Sequence, residues 1–273
     1  MFWTRFISSV VLVVIALVTL ILGGPVLAVV SYIVSLIGYF ELCRATKVQQ
    51  EKRKINGLEL VGMLGITGYY AAMFFSDNVL LLLMAIIGTL LGGMCIYVVN
   101  FPKYHAQQVM ENYFNFMYAP VMLSFIYMTR QLHYGEYIVW LILISSWGSD
   151  TCAYLVGICI GKKKIFPVLS PKKSLEGCIG GVIGAGLLGA AFGFFIVERV
   201  VVDQTITWIV AFICMVGAVM SQVGDLAASA IKRNHEIKDY GKLIPGHGGI
   251  MDRFDSVIVT APMIYFLTAL LIR

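Results

Sequence analysis

Residues 79–99 read VLLLLMAIIGTLLGGMCIYVV, an apolar run that contains no charged side chain. A helix needs about 20 mostly apolar residues to cross the hydrocarbon core of a bilayer, so this run predicts a membrane-spanning helix. Eight further segments meet the same requirement. The predicted spans are residues 6–22, 25–43, 58–75, 79–99, 112–129, 137–160, 177–197, 206–228 and 254–272.

The composition of the whole chain agrees with this pattern. Its 273 residues are 59% hydrophobic and 13% charged, whereas a soluble domain carries about 25% charged residues. We therefore expect an all-α, polytopic transmembrane helix bundle that forms one membrane-embedded domain over residues 1–273. Residues 1–130 are expected to supply N-terminal helices, and residues 137–273 the helices and loops that carry the ionisable motifs.

The first apolar run is expected to be kept in the mature protein. It passes through Gly23, Gly24 and Pro25 into a second apolar run, and only Arg5 precedes it. A secretory signal peptide has a more basic start and a cleavage site after one short apolar run. The pattern therefore favours a retained helical hairpin.

The distribution of basic residues predicts the orientation of the spans. Residues 44–54, 162–173 and 232–253 hold five Lys or Arg each, and Arg5 and Lys103 bring the predicted total on one side to 17 of 20. Lys and Arg accumulate in cytoplasmic loops. We therefore expect a cytoplasmic N-terminus and an external C-terminus, and we interpret the net charge of +5 as a topology signal without nucleic-acid binding.

Ionisable residues concentrate in residues 229–255, which read SAIKRNHEIKDYGKLIPGHGGIMDRFD. A charged side chain at the centre of a membrane helix costs about 2.5–3.5 kcal/mol on insertion scales, so their density indicates a functional segment. Gly248 and Gly249 permit a tight turn in which backbone amides approach phosphate oxygens.

Four polar residues before and within this segment share one face of a helix. Ser221, Asp225, Ser229 and Lys232 follow one another at i, i+4, i+8 and i+11. A carboxylate there could face a water-filled cavity and hold a cation. The alternative is a buried carboxylate that pairs with a nearby lysine.

Two further carboxylates follow the glycine turn. Asp252 and Asp255 are three residues apart and therefore lie on one face of a helix that starts near Met251. They could cap that helix and complement its dipole. Alternatively, Asp225 and Asp252 reach one point from different helices and form a magnesium site, because Mg²⁺ needs only one or two carboxylates together with substrate phosphates.

A second basic loop precedes a glycine-rich span. Residues 170–177 read SPKKSLEG, and Lys172, Lys173 and Ser174 suit phosphate groups near a helix N-terminus. The triplet Lys162–Lys164 is interpreted as a topology signal only.

In residues 177–197, glycines four apart predict close helix packing, with a homodimer interface as the alternative.

Residues 229–255 resemble the signature of the phosphatidate cytidylyltransferases, also called CDP-diacylglycerol synthases. The pattern is S-x-(apolar)-K-R, four residues, K-D, and then P-x-H-G-G-x-x-D-R-x-D. The SPKKSxEG string and the D-x-x-A-Y segment that begins at Asp150 resemble the same family. The matching signature residues are Ser229, Lys232, Arg233, Lys238, Asp239, Pro245, His247, Gly248, Gly249, Asp252, Arg253 and Asp255.

The resemblance, taken with the clusters above, implies roles for individual residues. The implied catalytic residues are Asp225, Asp252, Lys232 and His247, and the implied metal ligands are Asp225, Asp252 and Asp255. The implied substrate-binding residues are Lys172, Lys173, Ser174, Ser229, Arg233, Lys238, Asp239, Gly248, Gly249, Arg253 and Asp150.

Membership of this family would imply transfer of the CMP moiety of CTP to phosphatidate, giving CDP-diacylglycerol and pyrophosphate for phospholipid synthesis. We expect Mg²⁺ as cofactor, with a second cation left open, and an active site on the cytoplasmic side of a bacterial plasma membrane. One alternative is a CTP-dependent polyprenol or dolichol kinase-like enzyme, which moves the γ-phosphoryl group. The other is an ion-coupled transporter, since intramembrane acids also mark ion pathways.

Overall fold

The computed structural model describes residues 2–48, 55–76, 78–167, 169–244 and 248–272. These residues form helices and no strand, which confirms the predicted all-α class; two isolated antiparallel bridges occur, at Lys164–Ser174 and Ile244–Gly248. The α-helices are α1 (Phe2–Leu22), α2 (Gly24–Ala45), α3 (Gly57–Phe75), α4 (Val79–Val99), α5 (Ala106–Phe116), α6 (Met122–Gln131), α7 (Gly135–Ile138), α8 (Trp140–Leu143), α9 (Ser149–Ile160), α10 (Leu175–Phe192), α11 (Glu198–Val201), α12 (Ile206–Asn234) and α13 (Met251–Leu271). Short π-helical turns at Met117–Val121, Ile144–Gly148 and Gly193–Val197 connect some of them.

Within the described residues, seven helical segments are long and apolar enough to cross a membrane. This confirms a polytopic membrane protein. The segments are Gly24–Ala45, Gly57–Phe75, Val79–Val99, Gly135–Ile160, Leu175–Val201, Ile206–Asn234 and Met251–Leu271.

Two of the nine predicted spans are not in this set. The first predicted span lies in α1, whose apolar part Val10–Leu22 is shorter than the other seven segments. The predicted span at 112–129 lies in the continuous helical stretch 106–131, whose first part carries polar residues. Among them, Asn112 and Asn115 are buried in polar contacts, so this stretch is less apolar than the other spans.

The chain groups into two compact units, and each unit combines two separate stretches of sequence. The first unit contains the described residues of Met1–Ser124 and His235–Arg253, and the second those of Phe125–Asn234 and Phe254–Arg273. The described residues of His235–Arg253 therefore group with the N-terminal helices, although they belong to the predicted stretch 137–273 of motif-carrying helices and loops. A single membrane-embedded domain over residues 1–273 stays a prediction.

The first unit has a core of aromatic and aliphatic side chains with a buried polar network. The Tyr39 hydroxyl on α2 donates to Oδ1 of Asn112 on α5 at 2.5 Å, and Nδ2 of Asn112 donates to the Leu58 carbonyl on α3 at 3.2 Å. Buried polar groups must be hydrogen-bonded because water is absent there. The network therefore links α2, α3 and α5 of this unit.

The second unit packs around the glycines of α10. Gly177 and Gly181 face α9, and Gly189 faces α12; a Cβ added at any of them would lie about 3 Å or less from a backbone carbonyl or side chain of the facing helix. Without Cβ atoms the helix backbones approach closely. The predicted close packing is thus seen within this unit, and a homodimer stays a prediction.

Candidate active site

Three carboxylates of the second unit lie within range of electrostatic interaction with one another. Asp150 is on α9, Asp225 on α12 and Asp255 on α13. The charge of Asp255 interacts with those of Asp225 and Asp150. Lys173 lies with Nζ 2.5 Å from Oδ2 of Asp225, and Lys232 interacts with Asp255. Three carboxylates thus share two ammonium groups, so the cluster has an excess of negative charge when all are ionised.

The backbone geometry explains why the carboxylates converge. Gly224 precedes Asp225, and a Cβ added at Gly224 would lie 2.8 Å from the carbonyl oxygen of Asp255 and 3.1 Å from Cβ of Val259. Helices α12 and α13 therefore touch at this glycine, which brings the two aspartates together. Asp225 and Lys232 both act on Asp255, in agreement with the predicted common face of α12.

This contact gives a testable prediction. Gly224→Ala should force α12 and α13 apart at the carboxylate cluster, because overpacking a close contact costs about 1–3 kcal/mol. We expect a lower thermal midpoint in detergent and a loss of activity of about tenfold or more. Gly88→Ala on α4 is the matched control, because a Cβ there has nothing within 4 Å. Equal behaviour of the two variants would contradict the close approach.

The pairing of Asp225 with Lys173 corresponds to the structural alternative considered for this carboxylate. The side chains of Asp225 and Lys173 are 30% and 21% exposed. In this structure the Lys173 ammonium group balances the charge of the Asp225 carboxylate. The predicted role of Asp225 in metal binding remains a prediction beside this ion pair.

The loop before α10 is held by its own backbone and by one carboxylate. The amide of Leu175 donates to the Lys163 carbonyl at 2.8 Å, and the amides of Lys162 and Lys163 donate to the Glu176 carboxylate at 3.0–3.3 Å. Ser174 caps α10 by accepting from the Gly177 amide at 3.2 Å. These hydrogen bonds order residues 162–163 and 174–177 against each other. The Glu176 carboxylate accepts from two of the amides, a role that was not predicted from the sequence.

A cavity of about 420 Å³ lies between this loop, α9 and α10. It brings together four predicted site residues: Asp150, Lys172, Lys173 and Ser174. The other lining residues are Ala153, Tyr154, Gly157, Ile158, Lys164, Pro171, Gly177, Cys178 and Gln222. Its polar groups suit a phosphate-bearing ligand, and its apolar groups suit hydrocarbon.

Two lining residues were missed by the sequence analysis. Lys164 was interpreted as part of a topology signal, but it lines the cavity and its Nζ donates to the Lys172 carbonyl at 3.0 Å. Gln222 donates from Nε2 to the Cys178 carbonyl at 2.9 Å and so links α12 to α10. Neither residue had a sequence signal, because both roles depend on the folded loop.

The remaining predicted residues of α12 lie along its last turns. Ser221 is fully buried, and its hydroxyl has no hydrogen-bond partner among the described residues. Ser229 and Lys232 are half-buried, and Arg233 is exposed. The predicted basic side chains, Lys232 and Arg233, therefore lie in the last turn of α12, at its polar end.

In the first unit, the glycine turn is closed by Asp252. Its Oδ2 accepts from the Tyr240 amide at 2.9 Å and from the Gly249 amide at 3.0 Å, and Gly248 has φ +85°. The left-handed conformation of Gly248 is one that glycine adopts readily, which agrees with the predicted tight turn. Asp252 thus anchors the loop. Its role as a metal ligand, together with Asp225 of the other unit, stays a prediction.

Other predicted residues of this segment are peripheral or not described. Lys238, Asp239 and Arg253 are exposed. His247, predicted to be catalytic, lies outside the described residues, as do Pro245 and Gly246 of the signature. The buried Glu41 of α2, which carries no motif, accepts from the Met251 amide at 2.9 Å.

The carboxylates of the second unit have the chemistry to bind a divalent cation, and a magnesium site here stays a prediction. Asp150, Asp225 and Asp255 offer the hard carboxylate oxygens that Mg²⁺ prefers, with excess negative charge. In the part of the chain that the structure describes, no group of three or more His, Cys, Asp or Glu side chains is arranged to hold a metal ion. Mg²⁺ does not require one, since it retains several waters and takes phosphate oxygens from substrates.

Comparison with known proteins gives consistent matches. The family model described as the cytidylyltransferase family matches residues 3–271. The phosphatidate cytidylyltransferase of Bacillus subtilis (strain 168) is 30% identical over 279 residues, which cover 97% of each chain. That of Staphylococcus haemolyticus (strain JCSC1435) is 28% identical over 282 residues, which cover 96% of this chain and 97% of the relative. That of Staphylococcus aureus (strain COL) is 39% identical over 155 residues, 55% of each chain.

Proposed function

The chain belongs to the cytidylyltransferase family, and we propose that it transfers the CMP moiety of CTP to phosphatidate, with CDP-diacylglycerol and pyrophosphate as products. The observation that carries this proposal is the cavity of the second unit, where Lys164, Lys172, Lys173 and Asp150 converge in a membrane-spanning protein. A site for a charged nucleotide and a lipid phosphate needs cations beside apolar surface, and this cavity has both.

The reaction requires positioning and charge neutralisation more than proton transfer. A phosphate monoester has a second pKa near 6 and is mostly dianionic at pH 7, so a phosphatidate oxygen attacks the α-phosphorus of CTP without a general base. The bond from the α-phosphorus to the bridging oxygen of the β-phosphate breaks, and pyrophosphate leaves with that electron pair. Because both reactants are anions, catalysis consists of holding them together and stabilising the spreading charge.

Individual residues of the second unit have distinct roles in this proposal. Lys172 and Lys173, which lie in the loop before α10, bind the phosphate oxygens of the substrates. Lys164 supports Lys172 by donating a hydrogen bond to the Lys172 carbonyl. Asp225 and Asp255 would hold Mg²⁺, which neutralises phosphate charge when bound. Lys232 lies beside Asp255 and balances the carboxylate cluster. The predicted hydrogen bond from His247 to a phosphate oxygen is part of the same proposal.

The two candidate reactions differ in which phosphate of CTP enters the lipid product: the α-phosphate in the cytidylyltransferase reaction and the γ-phosphate in the kinase reaction. Purified protein in detergent with Mg²⁺ and phosphatidate should produce labelled lipid from CTP labelled at the α-phosphate. CTP labelled at the γ-phosphate should release labelled pyrophosphate and leave the lipid unlabelled. Label entering the lipid from the γ-position, with a polyprenol or dolichol acceptor, would instead establish a kinase. The names of the relatives favour the first outcome.

The site is proposed to face the cytoplasm, where CTP is available, in a bacterial plasma membrane. On a background without cysteines, Lys163→Cys and Lys238→Cys should resist an impermeant thiol reagent in intact cells and react after lysis. Gln204→Cys, in the exposed connection between α11 and α12, should react in intact cells. The expectation follows from the 17 basic residues on one side. External labelling of Lys163→Cys and Lys238→Cys would overturn the orientation.

A further inference from the structure

Glu41 is a buried carboxylate that contacts the glycine turn of the first unit. It lies in the last turns of α2 and is 3% exposed. Its Oε2 accepts from the Met251 amide at 2.9 Å, a contact that joins residues 210 positions apart in the chain. The amide of Ile250 also donates to this carboxylate. Glu41 therefore accepts from two consecutive amides at the start of α13.

Two glycines leave the space that this carboxylate fills. A Cβ added at Gly241 or at Gly249 would overlap the carboxylate of Glu41. The Gly249 amide meanwhile donates to Oδ2 of Asp252 at 3.0 Å. Residues 240–244 and 248–252 are thus held by two carboxylates, Asp252 within this segment and Glu41 of α2.

Simple packing does not account for Glu41. A buried carboxylate in a membrane span is unfavourable unless hydrogen bonds compensate for its desolvation, and the charge of the nearby Asp252 opposes it further. An apolar side chain would fill the space without either cost. Unlike an apolar side chain, Glu41 accepts hydrogen bonds from backbone amides and so fixes the position of the signature segment near Met251.

We infer that Glu41 is a positioning residue for the reaction: it holds residues 240–244 and 248–252 so that Gly248, Gly249 and Asp252 keep the geometry in which they act. The role rests on the proposed function, and it extends the functional set into the N-terminal helices. The hydrogen bond that Glu41 accepts from Met251 is to the protein backbone, and no contact with a reacting atom is assigned to it. Misplacement of a substrate-positioning segment by about 1 Å costs on the order of 100-fold in rate.

The first test is a comparison of two buried glutamates of the same unit. Glu41→Ala should lower kcat by about 100-fold while the protein remains folded in detergent. Glu41→Gln keeps one acceptor oxygen and should retain an intermediate rate. Glu59→Ala is the matched control, because Glu59 is also a buried carboxylate that accepts from a backbone amide, but it lies in the first turn of α3 and its donor is Asn56, which precedes that helix. Glu59→Ala should reduce stability and leave the specific activity of the folded fraction within about threefold of wild type.

The second test is a double-mutant cycle. Gly241→Ala should reduce kcat because its Cβ meets the Glu41 carboxylate, whereas in the Glu41→Ala background the same change should add little, since the clashing group is gone. Additive losses, or equal losses for Glu41→Ala and Glu59→Ala, would overturn the role of Glu41.

A third measurement separates this inference from the proposed function. Lys242 is exposed in the fastened segment, and tryptic cleavage there reports local opening. Glu41→Ala should accelerate cleavage at Lys242 by about tenfold or more relative to cleavage at Lys163 of the same protein. This readout needs no substrate, so it holds even if wild-type protein makes no CDP-diacylglycerol. Unchanged cleavage at Lys242 would overturn the inference while leaving the proposed function intact.

Discussion

Asp225→Asn is expected to reduce turnover by about a thousandfold or more, because the amide keeps the volume of the side chain and removes the charge at the centre of the carboxylate cluster. A loss of several kcal/mol in transition-state stabilisation corresponds to that factor, at tenfold per 1.36 kcal/mol. Asp225 pairs with Lys173 and interacts with Asp255, so both the proposed cation site and the orientation of the lysine depend on it. The measurement is the initial rate of CDP-diacylglycerol formation over a Mg²⁺ titration.

The matched control for this change is Asp203→Asn. Asp203 is exposed between α11 and α12, and its Oδ1 accepts from the amide and hydroxyl of Thr205 at 2.8 Å, which asparagine can also do. Its activity should stay within about twofold of wild type, as for most surface substitutions. A near-normal rate of Asp225→Asn at saturating Mg²⁺ would rule out the assigned role of Asp225.

Lys173→Gln is expected to lower kcat/KM by about 100-fold. Lys173 lines the cavity and is the ion-pair partner of Asp225, so its loss removes a phosphate-binding cation and leaves the carboxylate cluster with one positive charge fewer. A lost charge-assisted contact is worth about 1.5–3 kcal/mol. The measurement is kcat/KM for CTP and for phosphatidate in mixed micelles.

Lys163→Gln removes the same charge from the same loop and serves as the control. The Lys163 side chain is exposed, and only its backbone is used to order the loop: its amide donates to Glu176 and its carbonyl accepts from Leu175. Substitution should therefore change kcat/KM by less than about threefold, since an exposed charge is screened by salt. Equal losses at Lys163 and Lys173 would mean that diffuse basic charge attracts the substrates and that no specific clamp exists.

Most of the spans were predictable because the bilayer imposes a length and an apolar composition that can be seen locally. Helices α3 and α4 begin within one residue of their predicted starts. The stretch 106–131 shows where this reasoning stops. Asn112 is paired with Tyr39 of α2 and the Leu58 carbonyl of α3, and Asn115 donates to the Thr46 hydroxyl. Such partners cannot be seen in local hydropathy.

The candidate site was predictable to the extent that its chemistry is concentrated in short motifs. Asp150 and residues 172–174 line one cavity, and their assignment to substrate binding stays a prediction. The glycine turn is also as expected, because a positive φ at Gly248 strongly favours glycine. For Asp252 the motif indicated importance but not its contacts, since both backbone donors are defined by the loop conformation.

The sequence by itself determined the helical, membrane-spanning class, the segments rich in ionisable groups and the family, because each depends on composition or on fixed spacing along the chain. Only the tertiary structure decided that Lys173 pairs with Asp225, that Lys164 lines the cavity and that Glu41 fastens a loop 210 positions away. Such contacts depend on which faces of distant helices meet. Here that is decided by glycine contacts such as Gly224 against α13 and by the space that Gly241 leaves for a carboxylate.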